Sequence, residues 1–279
     1  MSRNQHWRHF VPQRGQAPTD TVVLEGGRQL SSIRTLEEAA DFIDRLKSLP
    51  APDSPDEQRE RLRTLLLAQT PRAVRAQIQM DRHKHGYHHR EKRLYELIDF
   101  NDSFVSLVLA SAPADLPGLA ERLRSDMTRL CRRLKTSMFS REQFDAIVRG
   151  LSREIAVFRA AHDEGFEAHM TSRVEDAFGI DMIITNPTTQ QVLNIDCKTP
   201  PAFRHRLEDL VHDGRISEAQ LLEADERDFI TMPQRRGDRT VPVTLLCIRP
   251  DTLGEISDFT FDQPARLTAL LERVFASTA

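Results

Sequence analysis

The sequence predicts an α/β protein: an N-terminal helical region followed by a domain of order α-β-β-β-α-β-α. Three observations predict this. Residues 34–139 keep a helical period, punctuated by helix-start boxes. The period changes after Ser140, where one amphipathic helix leads into three strand-like segments. A fourth strand-like run and a last helix follow.

Each element has a local reason. Residues 1–33 read as an arm, with loop chemistry at Gln13–Pro18 and a short edge strand at Thr21–Leu24. Thr35 and Glu38 form a capping box, in which the Thr oxygen accepts an orphan N–H of the first turn. The helix behind it carries Ala39, Phe42, Ile43 and Leu46 on one face and stops at Leu49-Pro50. Ser54 and Glu57 form a second box, with Pro55 at the first helical position, where its missing N–H costs nothing. Thr70-Pro71 is expected to start a third helix. Longer helical patterns cover Arg90–Ala110 and Leu116–Lys135. Residues 34–139 are thus expected to form a helical region, and residues 140–279 the α/β domain.

Ser140 and Gln143 make another box. Phe144, Ile147, Val148, Leu151, Ile155 and Phe158 form the stripe of the helix behind it, and Gly165 stops it. Strands are expected over Phe166–Thr171, Gly179–Thr185 and Gln190–Lys198, with Asn186–Thr189 turning the last two. One or two helices follow in Arg204–His212 and Ser217–Asp228. Val241–Ile248 reads as the fourth strand, and Pro264 opens the last helix, Ala265–Phe275.

Composition bounds the function. The chain has 279 residues, 39% hydrophobic and 29% charged, which is globular rather than disordered. No run approaches a membrane span, and MSRNQHWRHF has no apolar signal-peptide core, so a soluble cytoplasmic protein with no membrane partner is expected. Cys131, Cys197 and Cys247 lack CxxC spacing and sit in apolar contexts, as buried free thiols do. A net charge of −3 argues against a polybasic binder but leaves room for a local phosphate-binding patch. Only five of the 39 basic residues are lysine, so Lys198 inside a strand pattern stands out.

Side chains alternate across a strand, so Leu193, Ile195 and Cys197 share one face and Asn194, Asp196 and Lys198 the other. Folding the hairpin about Thr188 brings Asp181 near Asp196. Two close carboxylates repel unless one is protonated or a cation lies between them. A hard divalent ion such as Mg²⁺ accepts such oxygens and can polarise a phosphodiester and activate water. A neighbouring lysine can orient that water or stabilise transition-state charge. Glu154, three residues after Leu151 and four before Phe158, points along the apolar stripe and is a fourth candidate ligand.

At these residues the chain resembles the PD-(D/E)xK, or restriction-endonuclease-like, nuclease superfamily. Gly179-Ile180-Asp181 and Asp196-Cys197-Lys198 match its motif, with Ile180 in place of the eponymous Pro, and residues 140–249 match its αβββαβ order. The resemblance implies a mixed central sheet. It further implies Mg²⁺-dependent hydrolysis of nucleic acid, with Mn²⁺ as a substitute and DNA favoured over RNA. Asp181, Asp196 and Glu154 would be ligands and Lys198 would sit at the nucleophile. It covers the last half of the chain and is silent on residues 1–139.

Plainer readings stand beside it. Asp196 and Lys198 alone could be a cross-strand ion pair. Glu154 could be a boundary residue. Glu164, Glu167 and Glu175 are rival carboxylates, and Gln220 reads as a surface residue. The run His83–Arg90 favours a phosphate-contacting loop, through His85 and His88, or a solvated helix start over a zinc site. Arg129, Arg132 and Arg133 are candidate phosphate contacts. The helical region could clamp substrate, pair subunits as a homodimer or bind a protein partner. Two other readings are a catalytically inert nucleic-acid-binding or assembly module on the same fold and a toxin or effector nuclease.

Overall fold

The computed structural model describes residues 30–82, 90–172, 175, 179–236 and 238–278. The arm before residue 30, its expected strand, and His85 and His88 lie outside the described residues. The chain divides into two compact units, Met1–Asp145 and Ala146–Ala279, slightly beyond the change of period at Ser140.

The first unit is helical. Helix α1 (Leu36–Ser48) starts at the expected box: Glu38 N donates to Thr35 Oγ1 at 3.1 Å and Thr35 N to Glu38 Oε2 at 3.3 Å. It buries Ala39, Phe42, Ile43 and Leu46. Helix α2 (Pro55–Arg82) runs straight through Pro71, so no third helix begins there. A proline inside a helix removes one backbone bond and costs about 3 kcal/mol. Here the residues on both sides, Leu66, Leu67, Ala73 and Val74, are buried, and each large apolar side chain returns about 1.5–3 kcal/mol. Tertiary burial thus overrides the local break. Helices α3 (Arg90–Ala110) and α4 (Leu119–Arg133) follow the expected spans, with a 3₁₀ turn at Pro113–Asp115 between them. Glu96, buried in this unit, is neutralised by Arg72 at 3.0 Å and by Arg93.

Helix α5 (Arg141–Asp163) starts at the Ser140 box, with Gln143 N donating to Ser140 Oγ at 3.1 Å. In the second unit come β1 (Glu167–Met170), β2 (Met182–Thr185), β3 (Val192–Lys198), α6 (Pro200–His212), α7 (Glu218–Arg227), β4 (Phe229–Arg236) and β5 (Arg239–Cys247). A short helix α8 (Pro250–Leu253), a two-stranded β6 (Ile256–Ser257) and β7 (Thr260–Phe261), and α9 (Pro264–Thr278) complete it. The five-stranded sheet has order β1-β2-β3-β5-β4. Only β3 and β5 are parallel; every other neighbour is antiparallel. The α/β class and the mixed sheet are as expected.

Helices cover both faces of this sheet. On one, Ala156, Val157, Ala160 and Ala161 of α5 and Leu267, Leu271 and Val274 of α9 bury Leu193, Ile195 and Leu246. On the other, Phe203, Leu207 and Leu210 of α6 and Leu221 and Ala224 of α7 bury Leu245, Cys247 and Met232.

Two elements depart from the sequence reading. The crossover to β5 carries an extra strand, β4, where the sequence pattern predicts no element. Its Pro233 and Arg235 masked it, but it is an edge strand, where a missing N–H is tolerated. The β6–β7 hairpin is likewise additional. Gln220 is more than a surface residue. Its Oε1 accepts from Ser217 N at 2.9 Å, closing a capping box on α7.

Candidate active site at the β2–β3 hairpin

Asp181 sits just before β2, and a chain of local constraints holds it there. Gly179 takes φ +70°, a left-handed turn open to glycine at no steric cost. Ile180 follows, 1% exposed, as an apolar anchor. Thr171 N donates to the Asp181 carbonyl at 3.1 Å, and the Thr171 hydroxyl donates to the neighbouring Ile180 carbonyl. Asp181 N donates to Ile195 O at 2.8 Å, although Ile195 already stands opposite Met182 in the ladder. Two residues against one is the geometry of a β-bulge, which bends the strand and re-aims a side chain. The Asp181 carboxylate then turns across to β3, where its Oδ2 accepts the Cys197 backbone N–H at 2.7 Å.

On β3 the expected alternation holds. Leu193 and Ile195 are buried in the α5 side of the core with Cys197 packed against them. Asn194 uses its amide on Pro242 O at 2.8 Å, giving that carbonyl a partner beside a proline-interrupted ladder. Asp196 and Lys198 follow on the same face, and the Lys198 ammonium donates to Asp196 Oδ1. Asp196 is 6% exposed, so its ionised form has lost most of its water. Burial pushes its carboxyl above the ordinary range, while Lys198 and then Arg206 pull it back without cancelling the effect. Burial would by itself lower Lys198, but Asp196 and Asp181 outweigh it and hold the ammonium above its ordinary value. Lys198 is therefore a permanent cation at neutral pH.

The Cys197 thiol reports what surrounds it. Burial pushes it well up, and the Asp181, Glu154 and Asp196 carboxylates push it further, with Lys198 opposing. The charge of Glu154, on α5, is thus felt at the same residue as those of Asp181 and Asp196. The thiol stays protonated and cannot serve as a nucleophile.

Scans against protein-family models, curated proteins and solved structures return no match for this chain.

Among the described residues, no group of three or more His, Cys, Asp or Glu side chains is arranged to hold a metal ion. The donor chemistry still fits Mg²⁺. That ion rarely takes an all-protein cage; it binds through one or two carboxylates and keeps waters and substrate oxygens. Asp181, just before β2, and Asp196, on the neighbouring β3, are two such carboxylates, one half-buried and one buried. The rival carboxylates fall elsewhere: Glu164 and Glu167 are exposed, and Glu175 accepts from the Ser172 backbone and hydroxyl at 3.2 Å each.

The candidate phosphate contacts of the first unit are partly engaged. Arg129 pairs with Asp126 at 3.1 Å and remains 75% exposed, Arg132 is exposed, and Arg133 donates to Leu30 O at 2.5 Å. Among the described residues, no helix is long and apolar enough to cross a membrane. Arg206, on α6 beside the buried Phe203 and Leu207 in sequence, is a further charge that acts on Asp196 and that the sequence reading does not single out.

Proposed function

We propose that the chain is a metal-dependent nuclease of the restriction-endonuclease-like kind, hydrolysing phosphodiester bonds of nucleic acid with Mg²⁺, for which Mn²⁺ can substitute. The observation that carries this reading is the Asp181 carboxylate turned by a bulge onto the Cys197 amide, next to the buried Asp196–Lys198 pair. Three antiparallel strands, a helical crossover and a parallel fourth beside the third support it. DNA is the favoured substrate by superfamily habit alone.

Asp181 and Asp196 would hold the ion; Glu154, on α5, does not join them in a three-carboxylate group, so the ligand role expected for it from the sequence is not kept. When bound, it supplies Lewis-acid polarisation of a phosphoryl oxygen and a lowered pKa for water. The chain's own groups do the rest. Lys198, always charged, donates to the attacking water or to a phosphoryl oxygen as charge develops there. It is not the base, because its proton is held too tightly. The Cys197 amide fixes the Asp181 carboxylate, so one ligand is oriented before substrate arrives.

One observation favours a second reading. Lys198 already supplies a counter-charge to Asp196, so the pair needs no metal to persist, as in an inert nucleic-acid-binding module. A cleavage assay separates the two. Labelled single- and double-stranded DNA and RNA are incubated with purified protein in Mg²⁺, Mn²⁺ or EDTA, beside Asp181→Ala and Lys198→Ala. The nuclease cuts one of them only with metal, and both variants lose cutting. Tight, metal-independent binding without cutting establishes the inert module.

A further inference from the structure

The β4–β5 hairpin runs past the core of the second unit. Its last buried pair is Met232 opposite Val243. The ladder continues beyond it through Pro233 opposite Pro242, Gln234 opposite Val241, Arg235 opposite Thr240 and Arg236 opposite Arg239. Among the described residues none from 233 to 242 is buried. A ribbon that leaves the core gains little from hydrophobic burial, so its length needs another reason. Residues 233–240 hold three arginines and one acid, in a chain whose net charge is −3. Strand alternation divides the arginines between two faces. Leu245 and Cys247 face α6, so Arg239 lies on that face; Arg235, opposite Thr240, lies on the other. Both are exposed. Among the described residues Arg239 makes no hydrogen bond or ion pair. Charges on an edge strand can serve to block pairing with another sheet. Here the edge is already blocked at Pro233, which has no N–H and whose carbonyl accepts from Arg215 Nη2 at 2.8 Å. The arginines nearer the tip are left for an anion.

A two-stranded ribbon with arginines on both faces matches one polyanion in shape. The major groove of B-form DNA admits such a ribbon, and phosphate backbones form both of its walls. The deep, narrow major groove of duplex RNA does not. Asp196 stands opposite Leu245, and from Leu245 to Arg239 β5 spans about 20 Å at about 3.3 Å per residue. That is about six base pairs of duplex. We propose that the β4–β5 hairpin is a DNA-binding arm that enters the major groove, with Arg235 and Arg239 gripping the backbones on its two sides. The proposal rests on the nuclease reading and names double-stranded DNA as its substrate.

The test uses the full chain in EDTA, so that no cleavage competes. Fluorescein-labelled duplex DNA, duplex RNA and single-stranded DNA of mixed sequence are followed by anisotropy across a salt series. At about 0.1 M salt, Arg239→Gln is expected to weaken binding of duplex DNA about tenfold. It is also expected to lower the slope of log affinity against log salt by about one, and Arg235→Gln combined with Arg239→Gln by about two. Arg235→Lys combined with Arg239→Lys keeps the charge and therefore the slope. Arg273→Gln, at an exposed arginine of α9, leaves affinity and slope unchanged. Thermal unfolding of each variant checks that the fold persists. Wild-type affinity and slope for duplex DNA in the folded double glutamine variant overturn the proposal while leaving the nuclease reading intact, as does a loss confined to single strands or duplex RNA. A wild-type chain that binds neither DNA nor RNA overturns both.

Discussion

Replacing Lys198 with Met tests the electrostatics of the site directly. The variant keeps the length of the side chain and removes its charge. Asp196 has a side chain only 9% exposed and depends on Lys198, 29% exposed, for its counter-charge. Removing one partner of a buried pair costs about 3–5 kcal/mol, and the exposure of Lys198 points to the lower end, about 3 kcal/mol. The pH dependence has a definite sign. Burial already holds Asp196 above the ordinary carboxylate range, and Lys198 is the largest influence pulling it down. Without Lys198 the folded carboxyl binds its proton more tightly than the unfolded chain does. Acidification therefore stabilises the variant relative to neutral pH, and the penalty appears as pH rises through the folded value. Hydrogen exchange of the β3 amides, read at about pH 5 and about pH 8, reports the stability of the second unit without assuming that both units unfold together. Protection in Lys198→Met should fall by about 3 kcal/mol at the higher pH and recover most of it at the lower. Lys198→Met with Asp196→Asn should recover most at both. Wild-type protection in Lys198→Met at both pH values would refute the reasoning, because Asp196 would then need no counter-charge.

Two further predictions rest on single residues. Gly179→Ala places a Cβ 3.6 Å from Asp196 Oδ2, an ordinary contact, so only the φ of +70° resists it; a loss of about 1–2 kcal/mol in chemical denaturation is expected. A much larger loss would mean that the turn has no room. Burial pushes the Cys247 thiol from 9.0 up to about 12. Its contribution to stability is full below the unfolded thiol's value and is lost as pH rises toward about 12. At about pH 8 iodoacetamide should alkylate the unfolded thiol at least about a hundredfold faster than the folded one, read by mass spectrometry.

What was legible in the sequence follows from range. The boxes at Thr35 and Ser140 are local hydrogen-bond patterns, and the helices they open begin where they stand. The face alternation of β3 is equally local, so Asp196 and Lys198 were readable as neighbours on one side. The approach of Asp181 followed from the hairpin, but the bulge that sets its aim did not, since it depends on which Ile195 oxygen contact wins in three dimensions. Strand β4 was hidden because Pro233 argues against a central strand, and only the folded sheet reveals it as an edge. Pro71 misled for the opposite reason: the local break is real, but burial along α2 outweighs it.

The sharing of one cation by Asp181 and Asp196 is the central claim, and Mn²⁺ binding followed by electron paramagnetic resonance tests it most directly. The wild-type chain should take up one Mn²⁺ at the site, and Asp181→Asn and Asp196→Asn should each abolish or greatly weaken that uptake without unfolding the protein. Uptake unchanged in both variants, or none in the wild type, would contradict the account.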